Sequence, residues 1–134
     1  MDKTPEYDLC GRIIGLAMNV HSTLGSGFLE SVYRNALLIE LCKAGMQFEP
    51  SKAITVHYDG RIVGSFVADL FVEERVLVEL KAVAVLTKIH EVQLVNYLTA
   101  TSTDEGLLLN FGSSRLEYKK KFRTRKGGSE LDRI

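Results

Sequence analysis

Residues 53–83, AITVHYDGRIVGSFVADLFVEERVLVELKAV, decide the fold because three β-rich runs follow one another there. The Asp-Gly pair at 59–60 separates the first two runs and is a strong signal for a hairpin turn. The short polar segment at 73–75 predicts a second turn before the third run. That third run is apolar except for Glu79 and Lys81, and charged side chains are rarely buried without a partner. The pair therefore requires a structural or a chemical explanation.

Helical periodicity is found on both sides of this strand region. Apolar residues recur at helical spacing over 9–24 and again from about 28 to 44, with GSG as an interruption between the two helices. KIHEVQLVNYLTATS at 88–102 returns to the helical period, GLLLNFG at 106–112 predicts a buried strand, and RLEYKKKF at 115–122 predicts an edge strand.

The resulting order is ααβββαβ(β), which predicts an α/β protein of the α+β kind, with helices packed on a mixed sheet. No repeat or linker divides the chain, so we expect a single domain over residues 1–134 with a basic C-terminal segment at 119–134. Hydrophobic residues make up 46% and charged residues 25% of the 134 positions, as in an ordinary soluble domain.

The composition also excludes several classes of protein. No apolar run reaches membrane-spanning length, and the first ten residues are too polar for a signal peptide. We therefore expect a cytoplasmic protein with no membrane partner. Cys10 and Cys42 supply no zinc motif, and we expect both to be reduced packing residues.

Charge is unevenly distributed although the net charge is zero. Residues 119–126, KKKFRTRK, carry six cations, whereas residues 1–118 contain 10 basic and 15 acidic residues, a balance of −5. Lysines at this position would protect the edge of a sheet. Alternatively, Lys119, Lys120 and Lys121 would contact the phosphates of a nucleic acid. The sequence leaves both interpretations open.

The length of the turn at 73–75 determines whether Glu79 has an acidic neighbour. A three-residue loop sets Val72 opposite Val76 and, three residues further, Asp69 opposite Glu79, with Cβ atoms roughly 4.5–5.5 Å apart. A four-residue loop would instead turn Asp69 to the opposite face of the sheet.

Two opposed carboxylates raise each other's pKa, and a divalent cation such as Mg²⁺ or Mn²⁺ would remove the conflict. Lys81 lies two residues after Glu79 and shares its face. It would act as a cation and proton donor beside a metal, or it would bridge both acids in a structural ion cluster. These three residues alone do not separate the two interpretations.

Several short motifs, taken together, resemble one group of proteins. Asp69, followed by ELK at 79–81, resembles the D…(D/E)-x-K signature of the PD-(D/E)XK nuclease superfamily, with Ala68 in place of the usual proline. QLVNY at 93–97 resembles the Q-x-x-x-Y element of the RecB-type and phage lambda exonuclease branch. GFLESVY at 27–33 resembles the motif of the GxxExxY protein family. The resemblance covers about residues 9–118 and implies a restriction-endonuclease-like core.

The resemblance also implies roles for the charged residues of the third run. Asp69 and Glu79 would bind Mg²⁺ or Mn²⁺ together with the Leu80 carbonyl, and Lys81 would orient or deprotonate the attacking water. Glu30 would face the metal directly or through a water molecule. Its competing interpretation is an N-terminal glutamate that only favours the helix dipole.

Further roles follow for side chains on the helices. Gln93, as a catalytic residue, and Tyr97, as a substrate contact, would line the site from one helical face; the alternative is a packed tyrosine beside a solvent-facing glutamine. Tyr33 would contact substrate or belong to the core. His21 is a candidate metal ligand, whereas we expect His57 and His90 to be structural or exposed.

Two functions are consistent with these observations. The first is a metal-dependent nuclease that hydrolyses phosphodiester bonds in nucleic acid, with DNA as the expected substrate. The second is a non-catalytic nuclease-fold module for nucleic-acid or protein binding. Retention of Asp69, Glu79, Lys81 and Gln93 favours the first. The small size of the chain favours a homodimer or a larger nuclease or repair assembly, since little remains outside the core to hold a duplex.

Overall fold

A computed structural model of the chain describes residues 8–124. Within that range the element order is ααβββαββ, which confirms the predicted α+β fold class and the edge strand at its end. The helices are α1 (Leu9–Leu24), α2 (Glu30–Lys43) and α3 (Lys88–Thr101), and the strands are β1 (Phe48–Tyr58), β2 (Arg61–Val72), β3 (Val76–Lys81), β4 (Glu105–Asn110) and β5 (Glu117–Phe122). The remainder of the basic segment, residues 125–134, lies outside the described residues.

The five strands form one mixed sheet in the order β1-β2-β3-β4-β5. Neighbouring strands are antiparallel except β3 and β4, which are parallel because α3 carries the chain across the sheet between them. β3 and β4 are therefore central, whereas β1 and β5 are the edges. β1 includes Pro50, which is tolerated in an edge strand because its missing N–H faces no partner strand.

Helices cover both faces of the central strands. Alternate β3 residues, Val76, Val78 and Leu80, pack into the larger core beneath α1 and α2. Leu77 points to the opposite face and packs beneath Leu94 of α3. This double coverage explains why the third run reads as continuously apolar, as expected for a strand buried on both faces.

The two cysteines are free but differ in environment. Cys10 is buried in α1, as expected of a packing residue, whereas Cys42 is exposed on α2, which corrects that expectation for the second thiol. Among residues 8–124, no helix combines the length and the apolar character needed to span a membrane.

Candidate active site

The turn between β2 and β3 has the predicted length of three residues. Val72 pairs with Val76, and the ladder continues to the Leu70–Val78 pair and stops there. Glu73 and Glu74 adopt left-handed φ values of 52° and 53°, which tighten the turn. The register places Asp69 and Glu79 at the first position beyond the ladder, where the two strands begin to separate.

Strand β2 is irregular at Asp69. Leu70 packs into the core beneath α1 and α2, yet Ala68 and Phe71 both pack on the α3 face, so the alternation of side chains is broken between them. Opposite this point, the β1–β2 ladder omits the Ser51–Asp69 pair, and Ser51 has φ 58°. Irregularities of this kind commonly re-aim a side chain beside an active site.

The Asp69 carboxylate lies in the gap between the separating strands. Its Oδ2 accepts a hydrogen bond of 2.8 Å from the Leu80 backbone N–H, and its Oδ1 lies 3.5 Å from Nη1 of Arg34 on α2. The N–H and C=O of a strand residue point to the same side of the strand. The Leu80 carbonyl is therefore directed to the same gap as the Asp69 carboxylate.

Glu79 is the most perturbed carboxyl of this region. It is only 7% exposed, and its Oε2 has no hydrogen-bond partner among the described residues. Burial raises the pKa of Glu79 to about 9, and the charge of Asp69 and a hydrogen bond with that carboxyl add to the increase. Lys81 opposes it, and Glu30 adds to it weakly.

Glu30 and Lys81 complete the charges around this carboxyl pair. Glu30 is the first residue of α2, and partial burial of its carboxyl and the charge of Asp69 raise its pKa, against the opposing charges of Lys81 and Arg34. Lys81 thus lies near both glutamates, but within residues 8–124 it forms no salt bridge. The cation that pairs with Asp69 is Arg34, whereas the charge of Lys81 acts on Glu79 and Glu30.

Helix α3 approaches the carboxyl pair through Tyr97. The ring of Tyr97 packs on Phe66 of β2 at 5.5 Å between centroids. Burial raises the pKa of the Tyr97 hydroxyl, and the charges of Glu79 and Asp69 raise it further. Gln93, one turn earlier and exposed, shares with Tyr97 the wall of a cavity of about 1040 Å³.

Tyr33 is placed in the core, away from any substrate. It is fully buried and stacks on Phe111 at 4.7 Å between ring centroids. Its hydroxyl donates to the Gly25 carbonyl and accepts the Phe28 N–H at 3.1 Å, so both of its hydrogen-bonding functions are used. This corrects the expectation of a substrate contact: Tyr33 fixes the loop before α2 and thereby positions Glu30.

The histidines likewise have structural surroundings. Nε2 of His21 lies 3.0 Å from the Ser113 carbonyl oxygen, and its ring packs near Phe111, so that nitrogen is engaged away from the carboxyl pair. His90 Nδ1 accepts the Thr87 N–H at the start of α3. His57 is exposed on β1, as expected.

The three consecutive lysines of β5 face in two directions. Lys121 is half-buried and forms a 3.0 Å ion pair with Glu91 of α3. Lys119, two residues away, is exposed on the same face. Lys120 points to the other face, where its charge reaches Cys10 of α1. The edge position agrees with edge protection, while Lys119 and Lys121 are also accessible to a ligand beside α3.

Two features of this region were not predicted from the sequence. Arg34 lies four residues after Glu30, a spacing that places both on one helical face. Asn110, fully buried at the end of β4, accepts the Val83 N–H and donates to the Val83 carbonyl and to Glu117, so it fixes the loop that follows Lys81. The sequence signal for Asn110 was its position as the polar residue in the apolar run GLLLNFG, and Glu79 was singled out by the same kind of signal.

The donor set fits a divalent cation of the magnesium type. Glu79 offers a buried oxygen without a hydrogen-bond partner, and the Asp69 carboxylate and Leu80 carbonyl are directed to the same gap. Within residues 8–124, no group of three or more His, Cys, Asp or Glu side chains is arranged to hold a metal ion, so Glu30 stands apart from the pair. Mg²⁺ is commonly held by one or two carboxylates and keeps several waters.

Comparisons with known proteins agree with the fold and the order of these elements. A structure described as "Crystal structure of SSO0001" is similar at TM-score 0.55 and 16% identity, over 76% of this chain and 54% of that one. The chain thus spans about half the length of that protein, and the likeness shows the fold. No curated protein matches the chain.

An α+β domain that carries an Asp…Glu-x-Lys set at the open end of a central hairpin defines a restriction-endonuclease-like fold. The family model for the PD-(D/E)XK nuclease superfamily matches residues 7–122, and the chain belongs to that superfamily. The predicted superfamily is confirmed. Membership of the GxxExxY family within it stays a prediction that rests on the motif at 27–33.

Proposed function

We propose that this protein is a metal-dependent nuclease that hydrolyses phosphodiester bonds in nucleic acid, with Mg²⁺ or Mn²⁺ as cofactor and DNA as the expected substrate. The observation that carries the proposal is the buried, partnerless oxygen of Glu79 beside the Asp69 carboxylate. A buried carboxyl beside a second acid is costly unless a cation balances the pair, and the Arg34 contact is made to Asp69 rather than to Glu79. Membership of a nuclease superfamily supplies a chemical reason for retaining it.

The first set of site residues would bind the metal ion. Asp69, Glu79 and the Leu80 carbonyl would hold the cation, and Leu80 N–H fixes the rotamer of Asp69 for that task. When bound, a divalent cation polarises the phosphate and lowers the pKa of a water molecule. Arg34 also contacts Asp69, with 3.5 Å between Nη1 and Oδ1.

The other polar groups would act on the phosphate and the water. Lys81 would orient the attacking water and stabilise the charge that develops on the phosphate oxygens. Glu30, at the N-terminus of α2, would accept a hydrogen bond from a water of the metal. Gln93 and Tyr97 would contact the phosphate or the substrate from α3, and Lys119 and Lys121 would attract the polyanion.

The test is a cleavage assay with labelled DNA and RNA, each single- and double-stranded, in the presence of Mg²⁺ or Mn²⁺. Wild type is compared with Glu79→Gln and with Glu49→Gln, a matched change at an exposed glutamate of β1. We expect cleavage that chelator abolishes, that Glu79→Gln removes and that Glu49→Gln retains. Binding without cleavage under all conditions would identify a non-catalytic module instead. Light scattering of the same samples tests the expected homodimer.

A further inference from the structure

A large cavity lies on the α3 face of the sheet. Of the residues that line it, the proposed chemistry uses only Gln93 and Tyr97. The cavity volume of about 1040 Å³ reaches the upper end of the range for pockets that hold small-molecule ligands. The walls come from the β1–β2 hairpin on one side and from the outward face of α3 on the other. The lining includes Phe66, Lys88, Val92, Gln93, Asn96 and Tyr97.

The walls of this α3 cavity are apolar and aromatic but carry amide groups. Phe66 is 43% exposed and Val92 is 51% exposed, so apolar surface is presented to solvent inside the cavity. The Phe66 ring lies against Tyr97 with 5.5 Å between centroids and a tilt of 36°, and this contact restrains the ring. An exposed, fixed aromatic ring is the usual platform for stacking a nucleobase. Gln93 and Asn96 supply hydrogen-bond donors and acceptors for base edges.

The rim of the cavity at the start of α3 is positively charged. Lys88 lines the cavity, and its charge, together with those of Lys119 and Lys121, acts on Glu91. Glu91 forms an ion pair of 3.0 Å with Lys121 of β5, outside the cavity lining, so the charge that Lys88 brings to the rim is not cancelled by that glutamate. Because the N-terminus of α3 adds its own positive dipole end, this rim attracts phosphate groups.

The Tyr97 side of the cavity lies next to the strands that carry the carboxyl pair. Tyr97 lines the cavity and packs on Phe66 of β2 and on the small core cluster that includes Ala68 and Leu77, and Ala68 directly precedes Asp69. Burial raises the pKa of the Tyr97 hydroxyl, and the charges of Glu79 and Asp69 raise it further. A single path therefore runs from the cationic rim, along an aromatic wall, to the two acids. These three surfaces match the parts of a nucleic-acid strand: the rim would contact a phosphate, the aromatic wall a base, and the two acids the scissile bond.

We propose that the α3 cavity binds unpaired bases of a single nucleic-acid strand whose phosphates pass Lys88 on the way to Asp69 and Glu79. A base within a duplex is stacked and paired, so it cannot present its ring face to Phe66 or its edge to the amides. The inference rests on the proposed function and deepens it, because it specifies an unpaired strand as substrate.

Binding is measured apart from cleavage to test this assignment. Glu79→Gln protein in chelator is titrated into fluorescent oligo(dT), oligo(U) and a blunt DNA duplex, each of about 12 nucleotides or base pairs, with anisotropy as readout. We expect single strands to bind more tightly than the duplex. Phe66→Leu, added to that protein, should weaken single-strand binding by about 5- to 150-fold and leave duplex binding unchanged.

Two controls separate this effect from general damage. Phe122→Leu changes an exposed phenylalanine on the opposite face of β5 and should leave all affinities unchanged. Lys88→Gln should reduce the slope of log affinity against log salt by about 0.7 for single strands. Lys43→Gln, on exposed α2 surface, should not change that slope.

The outcomes distinguish this inference from the nuclease proposal. Equal affinity for duplex and single strands, or Phe66→Leu affinities within twofold of the parent, would overturn the base-binding cavity even if the wild type cleaves with metal. Single-strand binding that depends on Phe66 and Lys88 would support it even if no cleavage is found. The relative affinity for oligo(dT) and oligo(U) shows whether a thymidine or a uridine strand is the better ligand.

Discussion

The two ends of the β2–β3 hairpin use the same strands but differ in almost every physical property. At the turn end, Val72 and Val76 are paired in a regular ladder and fully buried. At the open end, the ladder has stopped, and Asp69 supplies the oxygen that accepts the Leu80 N–H. The difference shows that this sheet accommodates a charged side chain at a position where that side chain accepts the hydrogen bond that a partner strand would otherwise accept.

The largest effect expected at the open end concerns catalysis. Glu79→Gln should lower the rate of metal-dependent cleavage by about 10³-fold, comparable to the loss of a principal group that stabilises charge in the transition state. Val76→Ala, at the turn end, should leave the specific activity of folded protein within a few-fold of wild type. Initial rates with Mn²⁺ measure both. A Glu79→Gln variant with more than a tenth of wild-type activity would contradict the assigned role.

The second prediction concerns stability, for which the loss of an apolar side chain should matter more than the loss of the Glu79 charge. Leu80→Ala removes a fully buried side chain and should cost about 2–5 kcal/mol of unfolding free energy. Glu79→Gln, one residue earlier, should cost less than about 1 kcal/mol or stabilise the metal-free protein, since it relieves a buried carboxyl of its neighbour's charge. Urea denaturation in chelator compares the two. Equal losses would mean that both positions serve the core alone.

Divalent metal should stabilise the folded protein through the carboxylates at the open end. At a concentration 100 times its dissociation constant, Mn²⁺ should raise the unfolding free energy of wild type by about 2.7 kcal/mol. Glu79→Gln should lose most of this gain, while Lys81→Ala should keep it because it retains both carboxylates. Thermal melts with and without Mn²⁺ test this. If metal shifts no melt and Lys81→Ala is the least stable variant, Lys81 is a structural partner of the acids.

The pH dependence of stability should also originate at the open end. Folding raises the pKa of Glu79 from its ordinary 4.5 to about 9, so the folded protein binds this proton more tightly than the unfolded chain does. The associated stabilisation is complete below pH 4.5 and is lost as the pH rises toward 9. Between about pH 5.5 and 7.5, metal-free wild type should lose roughly 2–3 kcal/mol relative to Glu79→Gln. Parallel curves for the two proteins would show that Glu79 ionises normally.

The smallest expected effect belongs to Arg34, which contacts the open end from α2. Its 3.5 Å pair with Asp69 is partly exposed, so Arg34→Gln should change the unfolding free energy by less than about 1 kcal/mol. Because the arginine competes with a cation for Asp69, its removal should tighten metal binding by up to about fivefold. Calorimetric titration with Mn²⁺ measures the change. Weaker metal binding would show that Arg34 positions the carboxylate rather than occupying it.

The regular end of the hairpin was predictable from the sequence, because it depends on local rules. Apolar alternation and the polar turn at 73–75 fix the Val72–Val76 pairing, and counting along the strands brings Asp69 to the level of Glu79. The same periodicity predicted α1, α2 and α3 to within two residues at their ends. Side-chain period and turn chemistry carry this information without any tertiary contact.

The irregular features depend on contacts that sequence patterns do not contain. The break in alternation at Asp69 arises where Ser51, on another strand, leaves the ladder. The motif at 27–33 left Tyr33 open between a substrate contact and the core, and its direction is set by Phe111, far along the chain. Arg34 and Asn110 act through partners on other elements, and no local period identifies those partners.

The parallel pairing of β3 with β4 imposes an order on folding. The β1–β2–β3 meander forms from neighbouring segments, but β4 can join β3 only after the whole α3 crossover has been made. Helix α1 also contacts a segment far along the chain, because Nε2 of His21 lies 3.0 Å from the carbonyl oxygen of Ser113, which is 92 residues later. During synthesis, the part of the α1 and α2 surface that packs on Leu107, Leu109 and Phe111 therefore stays uncovered until β4 emerges. Glu30 lies on α2, whose Tyr33 stacks on Phe111, so this last part of the core to be synthesised also fixes the position of Glu30 relative to Asp69 and Glu79.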